Sequence, residues 1–193
     1  MVPALVEPSV PAGAISARPQ PHLTGPTVAL RPWTDQDVPV LVAAYGDPDI
    51  QRWHCRSLDP DEAVTVVRRW VEAWRSETGA SWAVTGRESA DAVGRVGLRA
   101  LSLEDGVAEV AYWVLPAARG RGVARAAVDT LAGWAFDDVG LQRLELRHST
   151  QNARSCRVAT ATGFTAEGTL RASALHSDGW HDMHLHARLR GHA

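Results

Sequence analysis

The sequence predicts an α/β (α+β) fold with a mixed, mostly antiparallel sheet of about seven strands and helices packed on it. Three consecutive segments, "SWAVTGRE", "AVGRVGLRALS" and "VAEVAYWVLP", are rich in β-branched and aromatic residues and are punctuated by Gly. Such runs are typical of consecutive antiparallel strands. Helix-like and strand-like segments then alternate, and two strands end the chain. This order predicts a mixed sheet covered by helices.

The folded domain is expected to begin near Thr27. Residues 1–26 are rich in Pro and Ala, have no period of 2 or 3.6, and indicate a flexible or loosely draped extension. "TVALRPW" alternates like an edge strand that Pro32 ends. We therefore divide the chain into an extension, 1–26, and one domain, 27–193.

The helices are predicted from apolar residues at helical spacing. "TDQDVPVLVAAYGD" opens with a cap at Thr34 or Asp35, and "DEAVTVVRRWVEAWRSETG" carries a stripe of Val and Trp residues. "DPDIQRWHCRSLDP", between these two, is expected to be a loop with a short turn. Two later helices, "ARAAVDTLAGWAFDDVG" and "NARSCRVATATG", end at Gly140 and Gly163. "LQRLELRHS", "FTAEGTLRAS" and "WHDMHLHARLR" supply the remaining strands.

Composition excludes several classes of protein. The formal net charge of −2 argues against general nucleic-acid binding, and no apolar run approaches the roughly 20 residues that span a bilayer. Cys55 and Cys156 stand far apart and outside a CxxC pattern, which indicates neither a disulfide scaffold nor a zinc site. The N-terminal residues lack the order of a signal peptide. We expect a cytoplasmic protein that binds neither nucleic acid nor membrane.

The connection "AARGRG" lies between a strand and a helix. Gly120 and Gly122 allow consecutive backbone N–H groups to converge, next to the free amides of a helix start, and Arg119, Arg121 and Arg125 add charge. Phosphate or pyrophosphate fits such a loop. The motif of a P-loop and that of a dinucleotide fold are both absent, because no Lys follows Gly122 and residue 125 is Arg. The alternative is a tight turn without a ligand.

The neighbourhood of this loop resembles a known family. "R-G-x-G-V-A" after "EVAYWV" is similar to the acyl-CoA pyrophosphate loop of the GNAT (Gcn5-related N-acetyltransferase) superfamily, and "WAFDDVGLQRLELRHSTQNARSCRVATATGFTAEGTLR" is similar to its RimJ/RimL-type branch. The resemblance covers about residues 27–190. It implies the GNAT fold, with a V-shaped splay after the fourth strand, and acetyl-CoA as acyl donor.

By this resemblance, the loop holds the pyrophosphate of coenzyme A through Arg119, Gly120, Arg121, Gly122, Val123 and Ala124. The strand before it is expected to carry a bulge and to splay from its neighbour, so that the pantetheine arm pairs with free main-chain groups near Trp113, Val114 and Leu115. The N–H of Val114 would then polarise the thioester carbonyl.

The resemblance also assigns side chains to the chemistry. Glu109 would remove a proton from the amine, directly or through water; the alternative is a solvated strand carboxylate. Asn152 would contact the pantetheine arm and Ser155 would approach the sulfur; the alternative is a helix N-cap and an ordinary first-turn residue. Tyr112 and Trp113 are expected to be core or pocket wall. The tyrosine acid of many relatives is replaced here by Ala159.

Four late histidines, His176, His181, His184 and His186, form another cluster in the sequence. Alternation puts His184 and His186 on one strand face, a spacing that suits a metal. No carboxylate or thiol accompanies them in pattern, so we expect a solvated or acceptor-lining strand and a reaction without a metal. Trp53 and His54 either line the acceptor mouth or serve packing.

These expectations amount to an enzyme that moves an acetyl group from acetyl-CoA to a primary amine by direct attack. The resemblance implies a protein N-terminal α-amine as acceptor, and relatives often form homodimers. A small-molecule amine, such as an antibiotic or a polyamine, a succinyl-CoA donor, and a non-catalytic acyl-CoA-binding sensor remain alternatives. A protein acceptor predicts an open groove, whereas a small amine predicts a closed pocket lined by Trp and by Asp47, Asp49 or Asp182.

Overall fold

The fold is built on one eight-stranded sheet. A computed structural model describes residues 5–191. The strand order is β1-β2-β3-β4-β5-β6-β8-β7. The strands are β1 (Leu23–Thr24), β2 (Val28–Pro32), β3 (Ala80–Gly86), β4 (Ala92–Ser102), β5 (Val107–Val114), β6 (Arg143–Ser149), β7 (Thr165–His176) and β8 (Gly179–Leu189). The helices are α1 (Val38–Gly46), α2 (Pro48–His54), α3 (Pro60–Arg75), α4 (Val123–Gly133) and α5 (Ala153–Ala161). The seven predicted strands are all present, and β1 is an additional two-residue edge strand.

The sheet is antiparallel except between β5 and β6. These two strands pair only from Val107↔Arg143 to Glu109↔Glu145, and beyond that point they diverge. The gap separates the last five residues of β5 from the end of β6. This is the V-shaped splay that the family resemblance implies. It follows β5, which is the fourth strand once the short β1 is set aside.

The bulge next to the splay lies on β4 and not on β5, where the resemblance placed it. Arg99 pairs with Glu109 and Ser102 pairs with Val107, so between these two pairs β4 contains one residue more than β5. Ala100 has a φ of 47°, a conformation that a bulge residue adopts. The last residues of β5 therefore remain regular strand, and their pairing with β4 fixes which main-chain groups face the gap.

Helices cover the two faces of the sheet with separate apolar clusters. On one face α1 and α3 bury Leu41, Tyr45 and Val67 together with Trp33 and Trp113. On the other face α4 buries Val128 and Leu131 against strand residues such as Val96, Val110 and Leu144. The alternation of β5 explains this division, because Val110 and Trp113 are an odd number of residues apart and point to opposite faces.

Three helical segments differ from the sequence prediction. The first helix begins at Val38, after a 3₁₀ turn at Asp35–Asp37. The segment expected to be a loop contains α2, which starts at Pro48 and is capped by the Asp47 side chain accepting from the Ile50 N–H. After α4 the chain continues as a π-helical segment, Trp134–Val139.

The N-terminal segment also differs from the expected loose extension. Val10 and Ile15 are 1% and 2% exposed. The Glu77 carboxylate accepts hydrogen bonds from the backbone N–H groups of Gly13, Ile15 and Ser16 at 2.7–2.9 Å. Two buried apolar side chains, too few to produce a periodic pattern in the sequence, therefore hold this segment on the domain. The Glu77 carboxylate assists by accepting hydrogen bonds from the backbone N–H groups of the segment. Within residues 5–191 no helix is long and apolar enough to cross a membrane.

Candidate active site

The glycine–arginine loop presents bare amides at the start of α4. Gly120 and Gly122 have φ values of 76° and 75°, which an L side chain adopts only with strain. A Cβ at either position would meet no atom within 4 Å, so the surface above the loop is open. Gly122 precedes the first helical residue and has no side chain to cap it. The first-turn N–H groups of α4 therefore point outward without partners in the helix, which favours an anion.

The Val114 N–H faces the gap between β5 and β6. Gly94 and Val114 are opposite each other, and the next N–H, that of Leu115, donates to the Val93 carbonyl at 2.9 Å. In an antiparallel ladder this pattern makes Gly94 and Val114 a pair that exchanges no hydrogen bonds. The Val114 N–H thus points away from β4, toward the splay. This geometry agrees with the oxyanion role expected of Val114, and Trp113 is buried against Trp33 and Tyr45.

The side chain of Arg119 has a different environment from the one the sequence suggests. Its guanidinium donates to Asp47 at 2.7 Å and to Asp49 at 2.8 Å, and its Nε donates to the Val114 carbonyl at 3.0 Å. The charge of Arg119 is therefore balanced within the protein, and this side chain ties α2 to the end of β5. Arg121 is exposed and has no ion-pair partner among residues 5–191. Arg125 is the other exposed cation of the loop; it contacts Asp129 at 3.8 Å and lines the cavity between the loop and the gap, whereas Arg121 does not line it.

Tyr112 and Ser155 meet across the gap. Their hydroxyl oxygens are 2.7 Å apart, and both residues line the same cavity. Burial raises the pKa of Tyr112 to about 12 against a smaller opposite effect of the Ser155 hydrogen bond, so the phenol stays protonated. Asn152 caps α5 by accepting the Ser155 N–H at 3.1 Å, which fixes the first turn that carries Ser155. Sequence reasoning treated Tyr112 as wall or core, since its position on β5 did not show what lies opposite.

Glu109 lies at the closed end of the splay. Its carboxylate accepts from Arg99 Nη2 at 2.5 Å, and its side chain is 12% exposed. Arg99 and Glu109 are directly opposite in the β4–β5 ladder, which explains the pair. Glu109 does not line the cavity, whereas Tyr112 and Val114 do. Glu109 is therefore a strand carboxylate paired with an exposed arginine, and its catalytic role stays a prediction.

One cavity of about 970 Å³ runs from the loop through the gap to the face under α2 and α3. Its far end is lined by Trp70, His54, Arg56, Arg95 and Arg99. Arg95 donates to the Ser81 hydroxyl at 2.8 Å, and its guanidinium lies 4.7 Å from the Trp70 ring centroid. No carboxylate within residues 5–191 forms an ion pair with it. The acceptor end of the cavity is consequently cationic.

Burial controls ionisation at this end. It lowers the pKa of His54 to about 4, an effect to which the nearby positive charge of Arg95 adds. It also lowers the pKa of Arg95 to about 10. Of the acidic residues expected in a pocket for a small amine, Asp49 lines the cavity, where it pairs with Arg119 and Arg154. Asp47 pairs with Arg119, and Asp182 accepts the Ala172 N–H.

Three of the four late histidines are buried, His184 is half-buried, and His176 lines the cavity. His176, His181 and His186 are 8%, 4% and 3% exposed. His176 stacks on His181, which bonds to Ser149 and to Asp178. The expectation that no thiol lies near His184 and His186 is wrong, because Cys156 of α5 and His148 of β6 join them. Burial lowers the pKa of His148 and of His186, so both rings are neutral.

Comparisons with known proteins identify the class to which this chain belongs. The family model of the acetyltransferase (GNAT) domain matches residues 27–165. The chain is 25% identical over 153 residues to the uncharacterized N-acetyltransferase YoaA of Bacillus subtilis (strain 168). This match covers 78% of this chain and 86% of YoaA.

Two solved structures show the same architecture. A probable acetyltransferase of the GNAT family from Chromobacterium violaceum has a TM-score of 0.78 at 27% identity, covering 100% of this chain and 97% of that chain. RimL, a ribosomal alpha-N-protein acetyltransferase in complex with coenzyme A, has a TM-score of 0.82 at 17% identity, covering 90% and 100%.

The chain therefore belongs to the GNAT acetyltransferase family. It is an N-acetyltransferase that acts with acetyl-CoA, and ribosomal-protein acetyltransferases are among its structural neighbours. The family predicted from the glycine–arginine loop and its flanking strands is confirmed.

Proposed function

We propose that this enzyme acetylates the N-terminal α-amine of a protein by direct attack on acetyl-CoA within a ternary complex. The observation that carries the proposal is the single cavity that joins the loop, the gap between β5 and β6, and the face under α2 and α3. Donor and acceptor meet in one space, so no acyl-enzyme is required. Holding both reactants together supplies much of the rate gain.

The donor end is assigned to coenzyme A. The amides of Gly120, Gly122, Val123 and Ala124, with the Arg121 side chain, hold the pyrophosphate, and the amide of Arg119 contributes while its side chain braces α2. The pantetheine arm lies along residues 113–115 of β5 and near Asn152. The Val114 N–H donates to the thioester oxygen, where negative charge develops in the tetrahedral intermediate.

The leaving thiolate is stabilised by Ser155. A phenol is a stronger hydrogen-bond donor than an alkyl hydroxyl, so Tyr112 donates to the Ser155 oxygen and directs the Ser155 hydrogen into the cavity. The amine nitrogen adds to the acyl carbon to form the tetrahedral intermediate, and the carbon–sulfur bond breaks as that intermediate collapses. Ser155 then bonds the thiolate while the nitrogen loses its proton to water in the cavity. Glu109, the base expected from the resemblance, is paired with Arg99 outside the cavity lining and takes no direct part in this step.

The arginines keep the acceptor reactive. An amine that enters beside Arg95 meets a guanidinium that forms no ion pair with a carboxylate of residues 5–191, whereas Arg99 is paired with Glu109. The charge of Arg95 disfavours the ammonium form and so favours the neutral nucleophile. Arg56 and Arg99 are exposed, so this end opens to solvent and admits a polypeptide terminus. A polyamine is disfavoured here, because its several positive charges would meet these arginines.

A second candidate follows from Arg95. A guanidinium without a carboxylate partner suits a substrate that carries one, and succinyl-CoA is a donor of that kind. In this case the Arg95→Gln variant would lose turnover of succinyl-CoA and keep that of acetyl-CoA. Equal loss with both donors would assign Arg95 to the acceptor instead.

The test is a peptide screen. Purified enzyme is incubated with acetyl-CoA and peptides that differ in their first two residues, and each peptide is paired with an N-terminally blocked copy that contains lysine. Thiol release and mass spectrometry are expected to show acetyl groups on free N-termini only, with Ser155→Ala strongly impaired. Modification of the blocked copies would refute the α-amine assignment. Binding of acetyl-CoA without turnover of any amine would favour the sensor.

A further inference from the structure

Two buried histidines, a half-buried histidine and a half-buried cysteine converge on one point beside the cavity, which one of them, His148, also lines. Each of His148, Cys156, His184 and His186 offers one ligand atom, and these four atoms all lie within 4.8 Å of one another. The β6–β8 register explains the convergence, because His148 is opposite His184 while Leu146 is opposite His186, so the three rings share one face. The helix α5 crosses that face and adds the thiol.

The donor set is that of a zinc site. Three imidazoles and one thiolate form a ligand combination that binds Zn²⁺ tetrahedrally. His148 Nε2 and His186 Nε2 are 3.2 Å apart. Two nitrogens at about 2.0–2.1 Å from one tetrahedral ion are separated by about 3.3 Å. The rings already stand at the spacing that a shared ion requires.

The hydrogen bonds around the cluster select the ligating form of His148. Its Nδ1 lies 2.9 Å from the Ser149 carbonyl oxygen, which only accepts. The proton of His148 is therefore on Nδ1, and Nε2 presents its lone pair to the cluster. A second ring nitrogen bonded to a carbonyl is the arrangement that orients histidine ligands in metal proteins.

Unsatisfied atoms in the same cluster point to a missing partner. The Nδ1 atoms of His184 and His186 are buried and have no hydrogen-bond partner within residues 5–191. Buried polar side-chain atoms are bonded in the large majority of cases. A bound cation beside the Cys156 thiol and the His148 lone pair would give His184 Nδ1 a partner. His186 would bind the same cation through Nε2, the atom that lies 3.2 Å from His148 Nε2.

We propose that His148, Cys156, His184 and His186 bind one Zn²⁺ ion that fastens α5 to strands β6 and β8. Binding releases the thiol proton of Cys156 to solvent and leaves the three imidazoles neutral. Acyl transfer itself uses none of these four groups. The ion acts on it only through position, since Cys156 adjoins Ser155 in the first turns of α5.

The experiment uses tag-free protein, stripped with a chelator and titrated with Co²⁺ and then with Zn²⁺ against a chromophoric chelator. One equivalent of either ion is expected to bind, with Co²⁺ giving the visible bands of a tetrahedral site and a thiolate charge-transfer band. Cys156→Ser abolishes that band, and the affinity falls by more than the roughly 10–100-fold that loss of a mere outer partner costs. His186→Gln weakens binding similarly.

Matched controls make the result specific. Cys55→Ser and His22→Gln change the other cysteine and an exposed histidine, and both are expected to bind like the parent chain. Zn²⁺ should raise the melting temperature of the parent and both controls but not that of Cys156→Ser. Absence of stoichiometric binding, or binding that survives both ligand substitutions, overturns the proposal. None of these readouts depends on acetyltransferase activity.

Discussion

Replacing Tyr112 by Phe tests whether it acts through Ser155. The substitution removes one hydroxyl–hydroxyl bond of 2.7 Å and keeps the ring that lines the cavity. A neutral hydrogen bond contributes about 1 kcal/mol, whereas a bond from Ser155 to a thiolate contributes about 1.5–3 kcal/mol. We expect kcat to fall about fivefold in Tyr112→Phe and roughly 10–150-fold in Ser155→Ala.

The double variant, Tyr112→Phe with Ser155→Ala, shows whether Tyr112 acts through Ser155 or whether the two residues act independently. If Tyr112 only orients Ser155, the double variant has the kcat of Ser155→Ala, and the coupling energy equals the Tyr112→Phe effect. Rates are measured as coenzyme A release with the peptide from the screen, and KM for acetyl-CoA should not change. Because the pKa of Tyr112 is about 12, the fivefold difference should persist up to about pH 10. Multiplication of the two single effects in the double variant would refute the reasoning.

Three further predictions concern stability and binding. Gly122 has a φ of 75°, so Gly122→Ala should lower the free energy of unfolding, measured in urea, by about 1–2 kcal/mol. Gly133 has a φ of −54° and no atom within 4 Å of a new Cβ, so Gly133→Ala should raise the same free energy by up to about 1 kcal/mol. Equal effects of the two substitutions would contradict the conformational argument. His54 has a native pKa of about 4 and an ordinary one of 6.5, so the unfolded chain binds more protons between these values, and stability should fall by up to about 3 kcal/mol from pH 7 to pH 4; denaturation curves of His54→Gln should lose that part of the pH dependence. Arg119→Ala should destabilise the protein by about 1–3 kcal/mol, mainly because Asp47 loses its arginine partner, while Asp49 keeps its ion pair with Arg154. Arg121→Ala should leave stability unchanged but weaken coenzyme A binding in calorimetry; the reverse order would return the pyrophosphate role to the Arg119 side chain.

The strands and the donor loop could be predicted because their signals are local. Alternation along β3, β4 and β5 follows from which face each side chain occupies, and Gly122 marks a backbone conformation that no other residue adopts cheaply. The helix α2 was missed since only seven residues form it. In the sequence, an Asp followed by Pro48 is equally typical of a turn. The contact that distinguishes this segment, the ion pair between Asp47 and Arg119, is seen only in the folded structure.

The acceptor end and the histidine cluster could not be predicted because they depend on pairing between distant strands. Arg95 has an ordinary place in β4, and only the fold shows that no carboxylate of residues 5–191 forms an ion pair with it. His148 and His184 are 36 residues apart in sequence, yet the β6–β8 register puts them directly opposite. Cys156 joins them through the packing of α5, which no spacing rule in the sequence encodes.

The packed N-terminal segment has a practical consequence for where the protein is cut. The family match begins at residue 27, yet the indole N–H of Trp74 donates to the Arg18 carbonyl and that of Trp82 to the Pro21 carbonyl. A recombinant protein that begins at residue 27 would leave both indole N–H groups and the Glu77 carboxylate without their hydrogen-bond partners. It would retain the donor loop and both strands of the splay. We expect the tryptophan fluorescence of the trimmed protein to change, because Trp74 of α3 loses its hydrogen bond to the N-terminal segment. This change would report a loosened α3 independently of acetyltransferase activity.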